Sequence, residues 1–130
     1  LDRWAFAPAD AVAWIEDVHS MPSQGVSTTF KFGRAHGTVI GVLGGLRVPI
    51  HYVTPAKWKK AMGLTKDKAS SRRLATELWP KRSYLFARVK DYGRAEAALI
   101  ARYGWLLRWR TESPAAPPWG QPNTALEAQR

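Results

Sequence analysis

The chain contains no cysteine, only three histidines and only ten acidic residues, and its apolar runs are never more than a handful of residues long. Without cysteine there is no disulfide scaffold, no thiol nucleophile and no thiolate zinc site. His19, His36 and His51 are too scattered for a histidine-rich metal cage. A bilayer-crossing helix needs about 20 apolar residues in succession, and no such run exists, so no membrane partner is expected. The front carries no basic, apolar, small-residue leader pattern. The expectation is a cytoplasmic, nucleoid-associated protein. Leu1 is not methionine, which suggests that the chain begins inside a larger gene product.

Basic residues are abundant: Lys and Arg total 20, for a formal net charge of +10 on 130 residues. That length suits one domain, and 45% apolar content argues against general disorder. The charge is unevenly placed. Residues 1–46 carry net −1, residues 47–110 net +12 and residues 111–130 net −1. A solvated basic face is the plain explanation. Clustered Lys and Arg over half a chain favour a polyanion, because neutralised phosphates supply most non-specific nucleic-acid affinity. Residues 111–130 hold Pro114, Pro117, Pro118 and Pro122 with little apolar content and read as a flexible Pro-rich tail.

Between these ends the pattern is strand, helix, strand and three helices, hence α/β. Residues 11–18 are apolar on both faces until Glu16, which suits a buried parallel strand. Residues 20–25 read as a loop. Ser27 then stands as N-cap of a helix running through Leu43. Gly33, Gly37 and Gly41 share one face of that helix and cost it propensity, so close packing against that face is expected. Phe30 and Phe32 on the same helix suit burial or a dimer contact. Residues 47–53 form a second strand. Thr54-Pro55 opens a helix that stops at Gly63, another spans 67–79, and residues 81–90 form a basic loop. The last helix opens near residues 91–94. Trp14, Trp58 and Trp79 suit core or core-rim anchors, whereas Trp105 and Trp109 are four apart on the last helix and suit packing before a dimer or DNA stripe.

Three of the ten acids are oddly placed. Glu16 ends an apolar strand, and α/β sheets bind ligands at the carboxyl ends of parallel strands. Asp91 and Glu96 flank the start of an Ala-rich helix. Singly, Asp91 suits a helix cap and Glu96 a partner for Lys90 or Arg94. Together, in a basic chain, they supply the oxygen ligands that a divalent cation needs for phosphodiester hydrolysis.

The stretch WIEDVHSMPSQGVSTTFKFGRAHG (14–37), then VTPAKWKKAMGL (53–64), DKASSRRLATELWP (67–80) and KDYGRAEAALIARYG (90–104), resemble in order a RuvC-type Holliday-junction resolvase, closest to the compact bacterial and phage branch. The resemblance covers about residues 11–104. It implies an RNase H-like fold, here a mixed sheet flanked by helices over residues 1–110 and N-terminally truncated. It also implies Mg²⁺-dependent (or Mn²⁺-dependent) cleavage of four-way DNA junctions by a homodimer, in recombination or repair. Glu16 matches the family's strand-end metal ligand, Glu96 the last acid of its final helix, and Asp91 the acid opening that motif in the compact branch. Cellular members place those two acids one helical turn apart, whereas here they are five residues apart. Lys59 and Lys68 match basic positions near the scissile phosphate. Lys60, Arg72, Arg73, Lys90 and Arg94 extend the DNA-binding set, and His19 stands where an aromatic often stacks at the junction centre.

One departure matters. The family opens on a strand reading roughly GIDPG, whose Asp bridges the metals, and this chain has no such stretch. The alternative is therefore a catalytically inactive module that binds branched DNA. A basic protein with an RNA or ribosome partner ranks third.

Overall fold

The first described strand, β1 (Ala13–Glu16), pairs in parallel with β2 (Ile50–Val53) in the register Ala13↔Ile50 to Glu16↔Val53. The computed structural model describes residues 11–19 and 23–112, with side chains as far as residue 108. Two further bonds bracket the ladder. The Ala13 N–H donates to the Pro49 carbonyl and the Asp17 N–H to the Val53 carbonyl, both at 2.8 Å. Parallel pairing is as expected, and it leaves Glu16 at the carboxyl end of its strand. The strands are shorter than the apolar runs, and β1 is half-buried rather than buried.

Helix α1 (Val26–Gly45) crosses from β1 to β2. Its N-cap is Gly25, not Ser27, and no side chain caps it. The Thr29 N–H closes the first turn on the Gly25 carbonyl at 3.0 Å, which places Ser27 inside the helix. At the other end the Val48 N–H donates to Leu43 and the Arg47 N–H to Gly44, both at 3.0 Å, in the paired pattern of a Schellman close. That close puts Arg47 at φ 55, in the left-handed region. This explains why the second strand starts at Ile50 and not at residue 47. The close packing expected along the glycine face is not observed. A Cβ added at Gly33, Gly37 or Gly41 would meet nothing within 4 Å, and α1 holds no buried residue. Phe30 is 67% exposed and Phe32 is exposed as well.

The described residues divide at Thr54/Pro55 into two compact units, so the second is described by itself. Helix α2 (Pro55–Ala61) starts on a proline, whose missing N–H costs nothing in the first turn. It ends in a second Schellman close: the Leu64 N–H donates to Lys59 at 2.9 Å and the Gly63 N–H to Lys60 at 3.1 Å, with Gly63 at φ 66. Helix α3 (Lys68–Leu78) is N-capped by Asp67, whose Oδ1 accepts from the Ala69 N–H at 2.9 Å. The expected basic loop is instead two 3₁₀ turns, Pro80–Phe86 and Val89–Asp91. Helix α4 (Tyr92–Glu112) follows at once and extends into the segment read as tail; the rest of that tail, residues 113–130, lies outside the described residues. The Trp109 side chain lies outside them too.

The core of this unit forms where α3 and the first 3₁₀ turn meet α4. Ala75, Phe86 and Ala95 are buried together, with Trp79, Leu85 and Ala98 packed against them. Two alanines at the crossing let the helices approach closely, and the Trp79 and Phe86 rings, 6.0 Å apart and tilted by 44°, fill the flank. Trp58 and Leu99 are fully buried. Trp58 is thus a core anchor, Trp79 a core-rim one, and Trp14 stacks on His51 across the strand pair at 4.9 Å.

Candidate nucleic-acid interface and acidic site

The second unit has an open cleft of roughly 520 Å³ where α2, the turn after it, the start of α3 and the start of α4 converge. Its wall carries Lys59, Lys60, Lys66 and Lys68, with Ser71 and Glu96 at its side. Four ammonium groups against Glu96 and Asp67 make the cleft cationic. The placement follows from local structure. The left-handed Gly63 turns the chain back after α2, so lysines on both sides of that turn line one opening.

Glu96 is the acid of this cleft. Its Oε1 lies 3.0 Å from Lys59 Nζ and accepts from Ser71 Oγ at 3.4 Å. Ser71 is only 2% exposed, so its hydroxyl fixes the carboxylate from inside. The Lys59 ammonium also lies 5.3 Å over the Trp58 ring, which anchors the other end of its reach. Lys68 sits 5.8 Å over the Tyr92 ring. Lys60 and Lys66 are exposed and make no ion pair among the described residues.

Asp91 is placed differently. It is 4% exposed, and its own turn occupies it. The Arg88 guanidinium forks onto it, Nε to Oδ2 at 3.1 Å and Nη2 to Oδ1 at 3.0 Å, while the Arg88 backbone N–H donates to Oδ2 at 3.0 Å. Arg94 stands 3.8 Å from Oδ1. The Arg88 hydrogen bonds hold the Asp91 carboxyl below the usual carboxylate range, and the nearby positive charges reinforce this. Asp91 thus closes the 3₁₀ turn that precedes the last helix, bonding back to Arg88; among the described residues its carboxylate accepts from no N–H of α4, so the helix-cap role read from sequence is replaced by a turn-closing one.

The remaining basic residues separate by what they touch. Arg72 Nη1 donates to the Ala87 carbonyl at 3.0 Å and to Phe86 at 3.4 Å, tying α3 to the end of the 3₁₀ turn. Arg94 Nη1 donates to Leu85 at 3.1 Å. Arg73 pairs with Asp67 at 3.3 Å. Lys90 is exposed, makes no such bond among the described residues, and does not line the cleft. Glu16 and the exposed His19 belong to the first unit. Sequence reasoning missed Lys66, Ser71 and Arg88. Arg88 was readable as a basic residue three before an acid. Ser71 was not, since an inward-facing serine on a helix carries no signal.

Among the described residues no three His, Cys, Asp or Glu side chains gather closely enough to hold a metal ion. As donors, the carboxylates of Glu16 and Glu96 suit a hard cation. Asp91 does not suit one, because Arg88 engages both its oxygens. No described helix is long and apolar enough to cross a membrane.

No protein-family model matches the chain. A curated relative is a Holliday junction resolvase. It is Holliday junction resolvase MOC1, chloroplastic, of Chlamydomonas reinhardtii, 28% identical over 102 residues. The match covers 77% of this chain and 11% of that protein, so the chain spans a small part of its relative.

Proposed function

We propose that this chain is part of a RuvC-like, RNase H-like enzyme that cleaves branched DNA at four-way junctions. The observation that carries this reading is the four-lysine cleft with Glu96 at its wall. The likeness to a Holliday junction resolvase supports it. Phosphate backbones bind in the cleft through Lys59, Lys60, Lys66 and Lys68, with Lys90 as an outlying contact. Arg72 and Arg94, already bonded to the Ala87 and Leu85 carbonyls, are left in this reading as outlying DNA contacts at most. Of the acids proposed for Mg²⁺ or Mn²⁺, Glu16 lies in the first unit and Glu96 in the second, each taken by itself, and Arg88 occupies both oxygens of Asp91. A bound divalent ion supplies an activated water and neutralises charge at the phosphate. His19, exposed in the first unit, suits stacking on a base. β1 and β2 belong in this reading to the larger RNase H-like sheet. The enzyme works as a homodimer, for which α1 offers an exposed apolar flank in Phe32, Val39, Val42 and Leu46. We place it with the DNA of the nucleoid.

A second reading is a module that binds junctions without cutting them. The Arg88 fork on Asp91 favours it, since it withdraws one of the three acids from metal binding. One experiment separates the two. The protein is incubated with a labelled four-way junction and Mg²⁺ or Mn²⁺, and binding is followed in parallel across a salt series. Symmetric nicking that Glu16→Gln abolishes while junction binding persists supports the enzyme. Salt-sensitive junction binding with no nicking, with or without metal, supports the module. Equal affinity for linear and branched duplex sinks both.

A further inference from the structure

We propose that Lys59 is a cation shared between two anions: Glu96 holds it in the free protein, and a nucleic-acid phosphate takes it away on binding. The inference rests on reading the cleft as the DNA site and adds how that site is gated.

The geometry supports an exchange rather than a fixed bridge. Lys59 and Ser71 both approach the same oxygen, Oε1 of Glu96. When Lys59 leaves, Ser71 still holds the carboxylate, so Glu96 does not lose its place. The ion pair is half-open to water, the side chains being 38% and 20% exposed. Pairs of that kind hold weakly, because water screens the charges and ordering two side chains costs entropy. The competing phosphate has three further lysines in the same cleft to bring it in. Lys59 pivots from a fixed base, since Trp58 beside it is fully buried and the ammonium lies over that ring. A lysine is a compact charge on a flexible stem, suited to swinging between two acceptors in a way a forked guanidinium is not. Binding therefore bears the cost of breaking one ion pair and of leaving Glu96 negative beside a phosphate.

Two measurements with a labelled four-way junction in EDTA test this, so that no divalent ion enters. The first is a double-mutant cycle. Glu96→Gln should tighten junction binding about threefold, the size of a partly exposed ion pair, and should tighten it less in a Lys59→Ala background. Equal or greater tightening in that background means that Glu96 merely repels DNA, and it overturns the exchange. The second substitutes neutral methylphosphonates for single phosphates. At least one substitution should weaken the wild-type protein and leave Lys59→Ala unaffected. If every substitution costs the two proteins alike, Lys59 never reaches a phosphate and the proposal fails. If no variant binds the junction, the DNA reading of the cleft fails first and the exchange goes with it.

Discussion

Asp91 and Glu96 show how the same residue type takes opposite work from its neighbours. Asp91 is enclosed by its own turn, with Arg88 forked on it, whereas Glu96 lines a cleft beside Lys59. The depressed Asp91 pKa has a consequence for stability. A carboxyl whose folded pKa lies below its unfolded value of about 3.9 stabilises fully above that value and loses its contribution as pH falls through the folded one. Asp91→Asn should therefore lower the melting temperature at neutral pH. The gap from wild type should narrow as pH falls below the unfolded value of about 3.9 and through the lowered native one. Calorimetry across that range checks it, and a gap that stays constant would show that the charge is not the source. The roles divided in a way that sequence could only half announce. Both acids stood out by position, but which one was occupied depended on Arg88 curling back through a 3₁₀ turn that had read as a loop.

At the scale of elements, both α1 and α2 end in Schellman closes with opposite chemistry at the left-handed position. Gly63 fits its φ of 66, while Arg47 adopts φ 55 against the preference of a residue with a Cβ. Gly63→Ala should cost about 1 kcal/mol and Arg47→Gly should gain about 1 kcal/mol. Urea unfolding of the two variants measures this, and equal effects of the same sign would contradict the assignment. The order of strands and α-helices was legible, though not the two 3₁₀ turns between α3 and α4. Pro55 at a helix start and Gly63 at its end matched, because each rests on local stereochemistry; that Asp67 caps the next helix rather than opening it came from the structure. The N-cap of α1 was misread, since Ser27 is chemically the better cap but Gly25 is where the chain turns. The glycines of α1 misled for another reason. Their spacing does make a common face, yet no described side chain or backbone comes within 4 Å of it.

At the scale of the whole molecule that helix becomes a question of assembly. Phe32, Val39, Val42 and Leu46 are exposed along one flank of α1. A second copy of the chain is the partner that a junction-cutting reading requires, because two opposed strands are cut. Sedimentation equilibrium should show a dimer that Val39→Glu together with Val42→Glu converts to monomer while far-UV circular dichroism stays unchanged. A wild-type monomer at all concentrations removes the dimer from the proposal. The charge map legible in the sequence also gained a location, since its four cleft lysines lie between residues 59 and 68. What composition could not supply was the cleft itself, which exists because three helices meet at one carboxylate.

That meeting point has a consequence for how the fold breathes. Through one oxygen, Glu96 links α4 to α2 by Lys59 and to α3 by Ser71. The α2 link is half-open, while the α3 link is part-buried and rests on a serine that is 2% exposed, so the two should not open together. In hydrogen exchange, α2 amides should lose protection ahead of those of α3, making the seven-residue α2 an early-opening leaf on a helix pair that stays closed.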